Sequence, residues 1–256
     1  MTSNPPTLAP HTLAIDVGGT GLKASVLDGE GQMLVKRVRM PTPPRVKPEQ
    51  LVDTIATLVK PLPDYDRVSI GFPGVVRAGK VMTAYAFGTK VWRGFPLQDK
   101  LAEKLGKPAR LANDAEVQGL GIMKGKGLEV VLTLGTGIGS AVFASGRMTP
   151  HLELAHHPIH KSETYDEWLG DKARKKIGDR KWSRRVFVMM GIVRTLLNYD
   201  HLYLGGGNAP NLPAKLPKNV SIASNDMGII GGVRLWDDEI WQAERDGGHA
   251  SDEGAD

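Results

Sequence analysis

The residues of this chain that could carry chemistry are glycine loops, a few carboxylates and a histidine cluster. Gly18-Gly19-Thr20-Gly21 ends one apolar run, Gly135-Thr136-Gly137-Ile138-Gly139 ends another, and Gly205-Gly206-Gly207 ends a third. Successive glycine N–H groups form anion-sized concavities because no Cβ blocks the approach. One such loop reads as a tight turn. Two matched loops with a third glycine run, each at a strand end, point to phosphates. Gly19-Thr20-Gly21-Leu22-Lys23-Ala24 fits the dinucleotide pattern G-x-G-x-x-A, but that pattern needs a helix opening at the glycines, and a strand follows here. Lys23 lies three residues beyond Thr20, where it either neutralises phosphate or decorates a strand. Asp114 stands between a short strand and a helix. It can cap that helix, worth about 1 kcal/mol, or take the proton of a hydroxyl that receives a phosphoryl group. His157 and His160 are three apart, but no third and fourth ligand accompany them, so they read as packing or surface histidines.

The elements that hold these groups follow from periodicity and turn chemistry. Alternation predicts strands over 12–17 and 22–27, and Asp28-Gly29-Glu30-Gly31 turns the chain into a third over 32–38. Pro41, Pro43, Pro44 and Pro48 stiffen the connection to a helix over 49–60, with Leu51, Ile55, Leu58 and Val59 on one face. A strand over 67–72 runs into Pro73-Gly74, and a helix over 97–105 stops at Gly106. The second half predicts strands over 109–112, 129–134, 140–144, 201–204 and 220–223, with helices over 114–124, 165–177, 182–199 and 227–241. IDVGGTGLKASV near the start and LTLGTGIGSAVF after the middle share one plan, spaced by more than a hundred residues. That period is too long for a solenoid and suggests a duplicated lobe, with two phosphate-sized loops facing across a cleft.

Composition bounds the partners. A chain of 256 residues can bury the core of one large domain or two small lobes. Its 41% hydrophobic and 24% charged residues exclude wholesale disorder. With a mean hydropathy of −0.23, no run approaches the roughly eighteen apolar residues of a membrane span. The absence of cysteine removes disulfides, thiolate catalysis and cysteine-based zinc or iron–sulfur sites. Met1 to His11 has neither a basic start nor an apolar stretch, so it is no signal peptide, and a soluble cytoplasmic protein is the default. The net charge is +5, but residues 243–256 carry five carboxylates against Arg245, which leaves residues 1–242 at +9. Such a body favours nucleic acid, an anionic membrane or a phosphate-bearing substrate. The run from Lys172 to Arg185 holds eight basic residues and one acid, Asp179. It reads equally as a solvated helix face or as a polyanion track through Lys175, Lys176, Lys181 and Arg185.

Asp16-Val-Gly-Gly-Thr-Gly-Leu-Lys23 resembles the first phosphate loop of the ROK group (repressors, open reading frames and kinases) of actin-like sugar kinases, and Leu134-Gly-Thr-Gly-Ile-Gly-Ser140 resembles their second. Gly71-Phe-Pro-Gly74 is similar to their sugar loop, Asn113-Asp114-Ala115 to their catalytic N-D-A, and Glu153-Leu-Ala-His156 to their E-x-G-H sugar clamp. These motifs come in the family's order and span residues 13 to about 235. Trp92-Arg93-Gly94, Tyr165-Asp-Glu-Trp-Leu-Gly170 and Lys181-Trp-Ser-Arg-Arg185 look most like the polyphosphate glucokinase branch. Two places depart. Ala155 replaces the clamp's usual glycine, and Ala84-Tyr-Ala-Phe-Gly-Thr89 stands where relatives have an Asn-containing sugar loop. The histidine and cysteine zinc site of many members cannot form without cysteine.

The resemblance implies an α/β, two-lobed actin-like (ribonuclease H-like) fold with a central cleft. Residues 1–11 would be flexible, 12–112 a small lobe, 113–242 a large lobe whose last helix packs on the first, and 243–256 a disordered acidic tail. It implies phosphoryl transfer from inorganic polyphosphate, with ATP also open, to the 6-hydroxyl of glucose. The alternative is a strictly ATP-dependent glucokinase or glucomannokinase. Asp114 would be the general base, and Gly74, Asn113, Asp114, Glu153 and His156 would hold the sugar. Asp16, Gly18, Gly19, Thr20, Gly21, Lys23, Gly135, Thr136, Gly137, Gly139, Gly205, Gly206 and Gly207 would hold donor phosphates, with Asp16 orienting Mg²⁺ through water. A homodimer is expected, without zinc, nucleic acid or membrane. A sugar-responsive repressor would need an N-terminal DNA-binding helix pair, for which Asp16 leaves no room. A basic nucleic-acid binder would leave the glycine loops unexplained and would lack a stacking platform.

Overall fold

The computed structural model describes residues 9–224 and 227–240. The acidic stretch 243–256, Trp241 and residues 1–8 lie outside the described residues. The first half runs β1 (Thr12–Val17), β2 (Gly21–Leu27), β3 (Val38–Pro41), α1 (Pro48–Val59), β4 (Arg67–Phe72), β5 (Val76–Arg77), β6 (Lys80–Val81), α2 (Thr89–Trp92), α3 (Leu97–Leu105) and β7 (Ala109–Asn113). The second half runs α4 (Asp114–Ile122), β8 (Leu128–Leu134), β9 (Ile138–Ala144), β10 (Arg147–Met148), β11 (Pro158–His160), β12 (Glu163–Thr164), α5 (Tyr165–Leu169), α6 (Asp171–Ile177), α7 (Asp179–Leu197), β13 (His201–Gly205), β14 (Val220–Ile222) and α8 (Met227–Arg234).

Two five-stranded mixed sheets carry the site, in the orders β3-β2-β1-β4-β7 and β10-β9-β8-β13-β14. In each, three strands pair antiparallel and two more add in parallel on the other side. The repeated glycine motif is thus one plan used twice: the β1–β2 turn and the β8–β9 turn occupy equivalent corners. One face of the first sheet buries Leu13, Ile15, Leu22, Ala24, Ile70 and Phe72 under α1 and a Phe72–Phe87–Trp92 cluster. In the second, Val130, Leu132 and Leu204 pack under α5 and α7, where Trp182 is fully buried and its Nε1 donates to the Leu169 carbonyl.

α4 and α8 lie against each other between the sheets, so closely that a Cβ on Gly231 would overlap the Val117 carbonyl oxygen. Ser69 Oγ donates to the Gly232 carbonyl at 2.6 Å, which ties α8 to the first sheet. Gly231→Ala should therefore cost about 2 kcal/mol, roughly 4–8 °C in Tm, because backbone rather than a movable side chain must yield. A thermal melt shifted by less than a degree would show that the two helices separate freely.

Three elements differ from their sequence expectation. The strand expected over 32–38 pairs only as Val38–Pro41, with one isolated bridge at Met33. Asp28 Oδ1 accepts from the N–H groups of Glu30 and Gln32, and Gly31 sits at φ +85°, so the turn is wide and the chain rejoins β2 late. The helix expected over 165–177 breaks at Gly170, where a Cβ would strike the carbonyls of Thr136 and Asp166. The last helix stops at Arg234, and a second helical stretch starts at Asp238.

Candidate active site

A cleft of about 810 Å³ is lined from both sheets. Its lining includes the first loop (Gly18, Gly19, Thr20, Gly21), the second (Gly135, Thr136, Gly137, Gly139), Asp16, Lys23, Gly74, Asn113, Asp114, Glu153, His156, Gly206 and Gly207. Gly205 lies at the end of β13 against Gln118 and does not line it. Lys175, Lys176, Lys181 and Arg185 do not line it either. On α6 and α7, Lys175 pairs with Asp171 at 2.6 Å, and the Arg185 guanidinium lies over the Trp168 ring.

Each loop is held open by its own sequence. Gly18 N–H donates to the Gly21 carbonyl at 3.1 Å, Thr42 Oγ1 donates to the Gly18 carbonyl at 2.7 Å, and a Cβ on Gly18 would sit 2.8 Å from the Gly21 oxygen. The second loop is anchored by Asp166, which accepts from Ile138 N–H at 2.6 Å and fills the space a Gly137 Cβ would need. Asn208 Nδ2 and the Asp171 N–H both donate to the Gly135 carbonyl. Beside the first loop, Lys23 Nζ pairs with Asp16 Oδ2 at 2.9 Å, both half-exposed.

The helix cap is Asn113, not Asp114. Asn113 Oδ1 accepts from Ala115 N–H at 2.8 Å, and Glu116 at N3 returns the bond to the Asn113 N–H. Asn113 Nδ2 donates to the Gly74 carbonyl at 3.0 Å. The amide expected to touch sugar thus joins the Gly71–Gly74 loop to the start of α4. Asp114, relieved of capping, faces the cleft with one oxygen on the Ala115 N–H. Burial, then the negative charge of Asp16, pushes its pKa up to about 7. A carboxylate so poised accepts a proton readily near neutrality.

The sugar-clamp residues come with partners that no sequence motif marks. His151, 7% exposed, places Nδ1 2.8 Å from Glu116 Oε1 and Nε2 3.6 Å from Glu153 Oε2. Burial opposes its protonation, but the two carboxylates outweigh burial and hold its pKa up at about 9. The resulting imidazolium keeps Glu153 ionised against its own burial. His156 lies under the Tyr85 ring, centroids 3.5 Å apart, so the departing 84–89 loop supplies an aromatic wall in place of an amide. His160 stacks on Trp168, and His157 lies near Tyr165. Among the described residues no three His, Asp or Glu side chains form a metal cluster.

The ROK family model matches residues 12–157. The polyphosphate glucokinase of Mycobacterium tuberculosis (strain ATCC 25618 / H37Rv) is 32% identical over 239 residues, covering 87% of this chain and 90% of its own. Among solved structures, the inorganic polyphosphate/ATP-glucomannokinase of Arthrobacter sp. strain KM superposes with a TM-score of 0.77 at 30% identity, covering 88% of this chain and 97% of its own. A ROK family glucokinase from Streptomyces griseus, in complex with glucose and AMPPNP, superposes at 0.74 with 18% identity over 88% of this chain and 98% of its own, and shares the fold. That fold is the two-lobed actin-like α/β architecture expected above.

Proposed function

Because the chain belongs to the ROK family, we propose that it is a glucose kinase using inorganic polyphosphate, with ATP as a second donor. The observation that carries this reading is the convergence of both glycine loops and Asp114 on one cleft. The sugar would lie against Gly74, Glu153 and His156, with its 6-hydroxyl at Asp114. Asn113 and His151 act as positioning residues, one for the sugar loop and one for Glu153. As the hydroxyl oxygen bonds to the terminal phosphorus, the bond to the bridging oxygen breaks. The hydroxyl proton passes to Asp114, and the shortened donor leaves. N–H groups of the two loops and Lys23 would hold donor oxygens. A polar sugar would be selected because an analogue lacking a hydroxyl forfeits its hydrogen bond to Glu153 or His156 inside the cleft. Closure of the cleft around Tyr85 and His156 would keep water from competing with the sugar.

A divalent cation fits the donor set. Asp16 offers a half-exposed carboxylate at the first loop, and its charge is one cause of the raised Asp114 pKa. Mg²⁺ held there through water would neutralise donor oxygens. Among the described residues no helix is long and apolar enough to cross a membrane, and a cytoplasmic homodimer belongs to the same proposal. A coupled glucose-6-phosphate assay tests it. Turnover is expected with polyphosphate and Mg²⁺, lost in EDTA and regained on adding Mg²⁺. Turnover with ATP alone would favour the strictly ATP-dependent alternative, and full activity in EDTA would remove the metal from the mechanism.

A further inference from the structure

A long donor must place its terminal phosphate between the glycine loops and send the rest of its chain elsewhere. Among the described residues lining the cleft, the only lysine and arginine are Lys23, on β2, and Arg37, in the irregular segment just before the edge strand β3. On β2, Leu22, Ala24 and Val26 enter the core, whereas Lys23 takes the opposite face and reaches the cleft. On the edge strand β3, Val38 and Met40 pack against that same core, and Arg39 stands directly across from Lys23 in the ladder. Alternation therefore puts Arg39 on Lys23's face. Arg37, one alternate position further, lines the cleft itself.

The three cations form a graded path. The register pairs Gly21 with Pro41 at the loop and Lys23 with Arg39 next. At about 3.4 Å per residue, Lys23 and Arg39 lie about 7 Å beyond Gly21, and Arg37, just before the start of β3, lies further along. Lys23 Nζ also pairs with Asp16 at 2.9 Å. The basic run on α6 and α7 is a poorer track. It lies off the cleft, Lys175 and Arg174 are paired with Asp171, and Arg174 also with Asp179.

We infer that the trailing phosphates of a polyphosphate chain leave the cleft over Lys23, Arg39 and Arg37, across the edge strand β3. This rests on the donor reading above and names the subsite that would make chain length matter. A tripolyphosphate would end level with Lys23 and Arg39, whereas a long chain would go on to Arg37 and hold all three cations at once. Each phosphate contact releases counterion, so affinity gained along this path is salt-sensitive, as for nucleic acid.

The test measures apparent KM for tripolyphosphate and for long-chain polyphosphate across a salt series. It compares wild type, R37A/R39A and K175A/K176A/K181A/R185A, with equilibrium binding of long-chain polyphosphate as a second readout. In R37A/R39A the advantage of the long chain over tripolyphosphate should shrink about tenfold, and the salt slope should fall by about two, one per contact removed. The quadruple variant should keep the wild-type dependence on chain length. Unchanged chain-length dependence in R37A/R39A, or its loss in the quadruple variant, overturns the edge-strand path and leaves the donor reading intact. A wild-type protein that turns over ATP and no polyphosphate overturns both.

Discussion

Asp114→Asn is expected to lose about a thousandfold or more in kcat while keeping its affinity for glucose within a fewfold. Asparagine preserves the shape and the bond from Ala115 N–H, but it cannot take the hydroxyl proton, and positioned general bases contribute about 10²–10⁴. The helix should survive, because Asn113 and Glu116 supply the capping box without Asp114. The same variant should melt higher than wild type. The folded-state pKa of Asp114, about 7, lies above the unfolded value of 3.8. Folding is therefore favoured by its proton, and that stabilisation is full below about pH 3.8 and lost as the pH rises through about 7. At pH 8 the wild type carries a buried charge that the amide lacks, so Tm should rise by a few degrees in the variant and the gap should close toward pH 4. In the wild type, kcat/KM without metal excess should fall on the acid side with an apparent pKa near 7. Near-wild-type kcat in the variant would take Asp114 out of the chemistry. An unchanged Tm would mean that its carboxylate is better solvated than its surroundings indicate.

Replacing His151 by Gln or Ala should destabilise the protein by about 3 kcal/mol, the usual cost of removing one partner from a buried charge pair. Glu116, 10% exposed, and Glu153, 25% exposed, would then share the site without a cation between them. Glu153 should take up a proton more easily, and apparent KM for glucose should rise about tenfold with a smaller change in kcat, since the lost effect is orientation of a sugar ligand. Linkage fixes the pH window. His151 has a folded pKa of about 9 against 6.5 ordinarily, so the stability it contributes is complete below about pH 6.5 and fades as pH rises through about 9. The Tm gap between wild type and His151→Gln should be widest near pH 6 and should close by pH 10. A gap that stays constant across that range would mean that His151 contributes packing and no charge.

The features readable from the sequence were those in which neighbouring residues state a local demand. Glycines in the turns after β1 and β8 mark backbones that must approach other groups without a Cβ, so both loops and the repeat joining them could be read from composition and spacing. The strand at 67–72 and the helix at 97–105 ended where predicted, because alternation and a left-handed Gly106 at the helix terminus are properties of contiguous chain. The wide turn after Asp28 and the break at Gly170 were not readable. The first depends on side-chain bonds that compete with the ladder, and the second on a loop 34 residues away that comes within contact of Gly170.

The division at the site has the same cause. Asp114, the loop glycines, Glu153 and His156 were marked by motif. Their supports were not: Asn113 holding Gly74, His151 bridging Glu116 and Glu153, Asp166 filling the space beside Gly137, and Arg37 reaching the cleft from an irregular segment. The bond between Glu116 and His151 spans 35 positions and that between Ile138 and Asp166 spans 28. The basic run on α6 and α7, conspicuous in sequence, ends off the cleft, while Lys23 and Arg37, dispersed in sequence, both line it. Sequence by itself determined which backbones could approach phosphate and which carboxylate could take a proton, because glycine and ionisation are properties of single residues. Only the tertiary structure decided which charges stand near which, because Coulomb energy depends on distance through space and on burial, and strand pairing sets both.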